Sequence, residues 1–105
     1  MKFLEEHATF GLCVTRITAG EMASGLGPHD RDRWERSLRR FALLDVDSDV
    51  CWIYGRIFSH LRKNGLLIGT NDLWIAATAV VHGLPLVTRN DSHFGRVPEL
   101  DVISY

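Results

Sequence analysis

Four oxygen-bearing side chains, Glu21, Asp72, Asn90 and Asp91, fall where a strand-and-helix pattern changes from one element to the next. Carboxylates are natural ligands of hard divalent cations such as Mg²⁺ or Mn²⁺, which shield phosphate charge and activate water near neutral pH. Within ~4–6 Å of one another and without a cation, such groups repel and raise each other's pKa values. Their clustering therefore makes sense chiefly around a metal, and the chemistry in view is phosphodiester hydrolysis. Arg16 and Arg89 adjoin strand ends and suit phosphate contacts. Thr18, Thr88 and His93 stand beside the acids as supporting groups. Each acid also has an ordinary reading. Glu21 closes a T-x-x-E capping box opened by Thr18. Asp72 complements a helix dipole, and Asn90-Asp91-Ser92 is turn chemistry.

The elements that must position these groups are legible in the apolar pattern. Leu12 to Ile17 reads as a buried strand, followed by a helix from Thr18 to about Ala23 that Gly25 and Gly27 stop. Pro28 to Ala42 is helical in pattern, with Trp34, Leu38 and Phe41 on one stripe, and Leu43 to Val46 is a short strand. From a cap at Ser48, the apolar positions Val50, Ile53, Tyr54, Ile57, Phe58 and Leu61 mark an amphipathic helix that Asn64-Gly65 closes. Asn71 to His82 is apolar nearly all round, as expected of a buried helix. Leu84 to Thr88 and Asp101 to Ser104 are strands. Strand alternating with helix implies an α/β fold with a mostly parallel sheet, whose ligand site lies beyond the strands' carboxyl ends.

At 105 residues and 46% hydrophobic, the chain is expected to form one domain over 1–105. With 24% charged residues and a formal net charge of −1, bulk charge does not demand a nucleic-acid partner. Cys13 and Cys51 lack metal-ligand spacing, so neither a disulfide framework nor a zinc site is expected. Met1 to Phe10 carries glutamates and a histidine where a signal peptide needs an apolar stretch, and no run reaches membrane-spanning length. A cytoplasmic location is the default. His7, His29, His60 and His82 show no metal spacing either. Arg31, Arg33, Arg36, Arg39 and Arg40 mix with Asp30, Asp32 and Glu35 as on a solvated helix face. Trp34, Trp52 and Trp74 read as core or interface residues, and Trp52, Tyr54 and Phe58 as an interface patch.

The segment NDLWIAATAVVHGLPLVTRNDSHF, from Asn71 to Phe94, with Arg96-Val97-Pro98 and Leu100 after it, resembles the C-terminal half of PIN-domain proteins of the VapC toxin ribonuclease type. TAGEMASG, from Thr18 to Gly25, is similar to that family's T-x-x-E-L-x-x-G element, and Tyr54-Gly55 and Gly69 to Asp72 fall where its members carry similar residues. The resemblance implies a PIN-like three-layer fold and Mg²⁺-dependent (or Mn²⁺-dependent) endoribonuclease activity, with a water activated by the metal attacking RNA. It also implies a homodimer and inhibition by a cognate antitoxin. Glu21 and Asp72 match two acidic metal-site positions, Asn90 a slot that is acidic or Asn, and His93 one that carries Asp in other members. Asp91 is an unaligned carboxylate in the same loop. Nothing before Leu12 matches the L-D-T-N-type motif that ends the family's first strand. The reading therefore expects a fold shortened at its N terminus, lacking that strand and its Asp, and holds as its alternative a catalytically silent remnant that dimerises or binds an antitoxin.

Overall fold

Five short segments pair into one sheet, and because every pairing is parallel, the chain needs a crossover between strands rather than a tight hairpin. The computed structural model describes residues 4–5, 13–39 and 41–104. Its elements are β1 (Leu4–Glu5), β2 (Cys13–Thr15), α1 (Arg16–Ser24), α2 (Arg31–Leu38), β3 (Ala42–Leu44), α3 (Ser48–Lys63), α4 (Thr70–His82), β4 (Leu86–Thr88), α5 (Asp91–Phe94) and β5 (Val102–Ser104). The strands lie in the order β3-β2-β1-β4-β5. Leu12, His7 and Arg40, which entered the sequence reading, lie outside the described residues.

β1 corrects the expectation of a sheet without a first strand. Leu4 registers with Cys13 on one side and Leu86 on the other, and Glu5 with Val87, so this strand holds the centre of the sheet. Two residues are too few to show a period of two. The strand is defined by its neighbours β2 and β4 instead of by its own pattern. The missing Asp is a separate matter: the chain has no Asp before Asp30.

From β1 the chain adds β2 and β3 on one side, then crosses back to add β4 and β5 on the other. The strand order thus reverses between β1 and β4, and in open parallel sheets the ligand crevice lies beyond the carboxyl ends at such a reversal.

Helix boundaries follow from the caps. Thr15, buried completely, accepts a hydrogen bond on its side chain from the Thr18 backbone N–H at 3.0 Å, so α1 begins at Arg16 instead of at Thr18. Asp47 does the same for the Val50 N–H at 3.0 Å, moving the cap of α3 one residue before Ser48. α2 is shorter than its apolar pattern, and the strand after it begins at Ala42, one residue before the position expected. Trp34 on α2 donates its indole N–H to the Ala19 carbonyl at 2.9 Å and ties α2 to α1.

α4 carries the core. Leu73, Ile75, Ala76, Ala77, Thr78 and Ala79 are all buried, so the helix is covered on every side, as its nearly continuous apolar sequence requires. Val50, Ile57 and Leu61 of α3, Leu86 of β4 and Phe94 of α5 pack into the same cluster. Gly83, at φ 63°, ends α4 in the left-handed conformation, and the Leu84 N–H returns to the Ala79 carbonyl at 3.0 Å. Among the described residues no helix is long and apolar enough to cross a membrane.

Candidate metal centre

Asp72 lies in the first turn of α4, and its side chain is 22% exposed. The turn after β4 folds towards it. Thr88, the last residue of β4 and wholly buried, accepts the Asn90 backbone N–H on Oγ1 at 3.0 Å, which bends the chain directly into α5. Asn90 Nδ2 lies 3.0 Å from His93 Nδ1, and His93 Nδ1 lies 3.8 Å from Asp72 Oδ2. Asp72, Asn90 and His93 are therefore neighbours, although 18 residues separate Asp72 from Asn90 in the chain. The helix α5 was not evident from the sequence, where its residues read as a turn. Its four residues are fewer than a hydrophobic period needs, and its only local signal is the Asn-Asp-Ser start.

Glu21 reaches the region from α1, which packs on α4. It lines a depression of about 390 Å³ with Arg16, Ile17, Gly20, Ser24 and Asn71, the last being the residue before Asp72. Because α1 starts at Arg16, Glu21 sits in the middle of the helix and is not the acid of a capping box. The capping account of this carboxylate is thereby removed. Thr18 is buried, its hydroxyl 3.1 Å from that of Thr15, and so belongs to the start of α1.

Arg16 forms an ion pair with Asp45, just beyond β3, and both side chains are well exposed. Asp45 was missed at the sequence level because nothing local in β3 signals a partner on the neighbouring strand's helix. Arg89 follows Thr88 at the carboxyl end of β4 and is exposed. Asp91 is exposed and opens α5, and its backbone carbonyl accepts the Gly95 N–H at 2.7 Å.

Oxygen donors at strand ends suit a hard cation, and Mg²⁺ commonly keeps several waters and uses only one or two carboxylates with substrate phosphates. The pair of oxygen donors brought together at His93, Asp72 and Asn90, suits that mode. It does not form a closed protein cage, since among the described residues no group of three or more His, Cys, Asp or Glu side chains converges. A second depression is lined by Ala23, Leu26, Gly27, Pro28, Asp30, Arg31 and Trp34, and none of the candidate site residues borders it.

Comparison with known proteins agrees with this architecture. The family model described as PIN domain matches residues 1–100. Ribonuclease VapC1 of Methanocaldococcus jannaschii is 31% identical over 96 residues, covering 90% of this chain and 71% of that protein. VapBC-1 from nontypeable Haemophilus influenzae superposes with a TM-score of 0.79 at 31% identity, over 89% of this chain and 73% of that one. A toxin-antitoxin complex from Klebsiella pneumoniae gives 0.71 at 25% identity, over 88% and 72%. With the parallel sheet, the acid on the buried helix and a family match across nearly its whole length, this chain belongs to the PIN-domain family, and its VapC1 relative is a named ribonuclease.

Proposed function

We propose that the chain is a VapC-like endoribonuclease of a toxin-antitoxin pair, dependent on Mg²⁺ or Mn²⁺ and working in the cytoplasm. The observation that carries this is the meeting of Asp72 with Asn90 and His93 at the strand-order reversal, with Glu21 bordering the same region. Glu21 and Asp72 would hold the ion, with Asn90 or Asp91 completing its oxygen ligands. When bound, the ion supplies charge shielding for the scissile phosphate and lowers the pKa of a coordinated water. The chain's own groups orient the substrate. Arg16 and Arg89 offer guanidinium groups for phosphate oxygens. Thr88 fixes the turn that places Asn90, and Asn90 in turn holds His93 beside Asp72. The likeness to a toxin-antitoxin complex supports an antitoxin as the protein partner, and the family's pairing supports a homodimer.

RNA cleavage measured with Mg²⁺, with chelator and in Asp72→Ala tests the reading. Activity is expected only for the unsubstituted chain with metal, and equal activity in all three conditions rejects it. A second reading, a silent PIN remnant that dimerises or binds an antitoxin, is favoured by the absent early Asp and by the incomplete acid cluster among the described residues. Magnesium titration separates the two. Binding to the folded state at a hundredfold excess over Kd adds about 2.7 kcal/mol of stability, which a remnant lacks and which Glu21→Gln should diminish.

A further inference from the structure

The group that Asp72 meets at the end of β4 carries nitrogen, and nitrogen discriminates between cations. Asn90 Nδ2 can only donate, so across their 3.0 Å separation His93 Nδ1 accepts and the imidazole proton rests on Nε2. The same unprotonated Nδ1 lies 3.8 Å from Asp72 Oδ2. Two lone-pair acceptors thus face each other, neither able to donate to the other, an arrangement that a cation between them relieves. Adjacent ligands of a small six-coordinate ion stand ~3 Å apart, so the pair needs to close by less than ~1 Å. The side chains are free to do so, being 44% exposed at His93 and 22% at Asp72. Their backbones are not free to drift, because the next residue in each case, Phe94 and Leu73, is wholly buried.

We infer that His93 Nδ1 is a direct ligand of the ion beside Asp72, and that this nitrogen tilts the centre away from Mg²⁺ towards borderline transition ions, Mn²⁺ and more strongly Co²⁺. The reason is donor chemistry. Mg²⁺ takes oxygen and sheds its waters reluctantly, so exchanging a water for imidazole gains it little. Imidazole suits the later first-row ions, whose affinity for such a site rises from Mn²⁺ to Co²⁺. Among the described residues no three His, Cys, Asp or Glu side chains converge, so the protein supplies few ligands and a single nitrogen is a large share of them. The inference rests on the metal-dependent reading proposed above and names the ion class of that site, but it does not require RNA cleavage.

Pulsed electron paramagnetic resonance of the whole chain loaded with Mn²⁺ tests it. The bound ion should show nitrogen coupling that shifts on isotopic labelling of histidine nitrogen, that is lost in His93→Ala and that persists in His60→Ala. Melting curves titrated with Mg²⁺, Mn²⁺ and Co²⁺ supply the affinities. His93→Ala should weaken Co²⁺ binding about tenfold or more, since loss of an outer partner of a ligand alone costs ~10–100-fold, and should leave Mg²⁺ within about twofold. His93→Asp should tighten Mg²⁺ while weakening Co²⁺, a gain that misfolding cannot imitate. Mn²⁺ bound without nitrogen coupling, or a preference for Co²⁺ over Mg²⁺ unchanged in His93→Asp, overturns the ligand and leaves the metal-dependent reading standing. No stabilisation by any of the three ions overturns both.

Discussion

Alanine in place of glycine is expected to act with opposite signs at Gly95 and Gly55. A Cβ at Gly95 would lie 2.9 Å from the Asp91 carbonyl oxygen, the atom that already accepts the Gly95 N–H at 2.7 Å. The backbone of Gly95, at φ −62°, is one that alanine adopts freely, so the conflict is purely steric. The oxygen belongs to backbone, and α5 has four residues over which to spread the displacement. Overpacking of this kind costs ~1–3 kcal/mol, against ~0.4–1 kcal/mol recovered by restricting the unfolded chain. The net is about 1 kcal/mol of destabilisation, or roughly 4–8 °C in Tm for a domain of this size. Gly55, inside α3, has nothing within 4 Å of the same added atom, and alanine there should stabilise by ~0.5–1 kcal/mol. Thermal and urea unfolding of both variants measure the contrast. Function should follow, because α5 carries Asp91 and His93, and a shift of a few tenths of an ångström changes the 3.8 Å approach of His93 to Asp72. Gly95→Ala should therefore lose RNA cleavage and magnesium stabilisation, and Gly55→Ala should keep both. A Gly95→Ala chain as stable as Gly55→Ala would refute the packing argument.

Thr15→Val should cost about 1–2 kcal/mol in urea unfolding, because it deprives the buried start of α1 of its acceptor for the Thr18 N–H, while Thr15→Ser keeps the cap and should lose less. Equal midpoints for wild type and Thr15→Val would show that the cap lies elsewhere. Leu73→Ala, at a fully buried position on α4 next to Asp72, should cost about 2–5 kcal/mol, read as a lower urea midpoint with an unchanged slope.

Much of the fold was legible because its signals are local. The i, i+3, i+4 run from Val50 to Leu61 defined α3, and the unbroken apolar stretch around Ile75 defined α4 as a helix covered on all sides. Boundaries were less legible. Thr15 and Thr18 are both competent caps, and only the observed bond shows which one starts α1. That choice bears on function, since it deprives Glu21 of a capping role. Their spacing and aromatic character group Trp52 and Tyr54 in one interface patch, yet they part company in the structure. The Tyr54 ring stacks on Trp74 with centroids 3.8 Å apart, whereas Trp52 stays in water. A helical wheel places the two residues on different sides, but only packing shows which side another helix covers.

Residue type and spacing alone determined that this chain alternates strand and helix, that Asp72 opens a buried helix, and that Glu21, Asn90 and Asp91 follow strands. Tertiary structure alone decided that Leu4–Glu5 fills the centre of the sheet and that Asp72 meets Asn90 and His93. It also decided that Arg16 pairs with Asp45. The division has one physical cause: helical periodicity and capping are carried by neighbours in the chain, whereas strand order and side-chain convergence depend on partners supplied by segments tens of residues away.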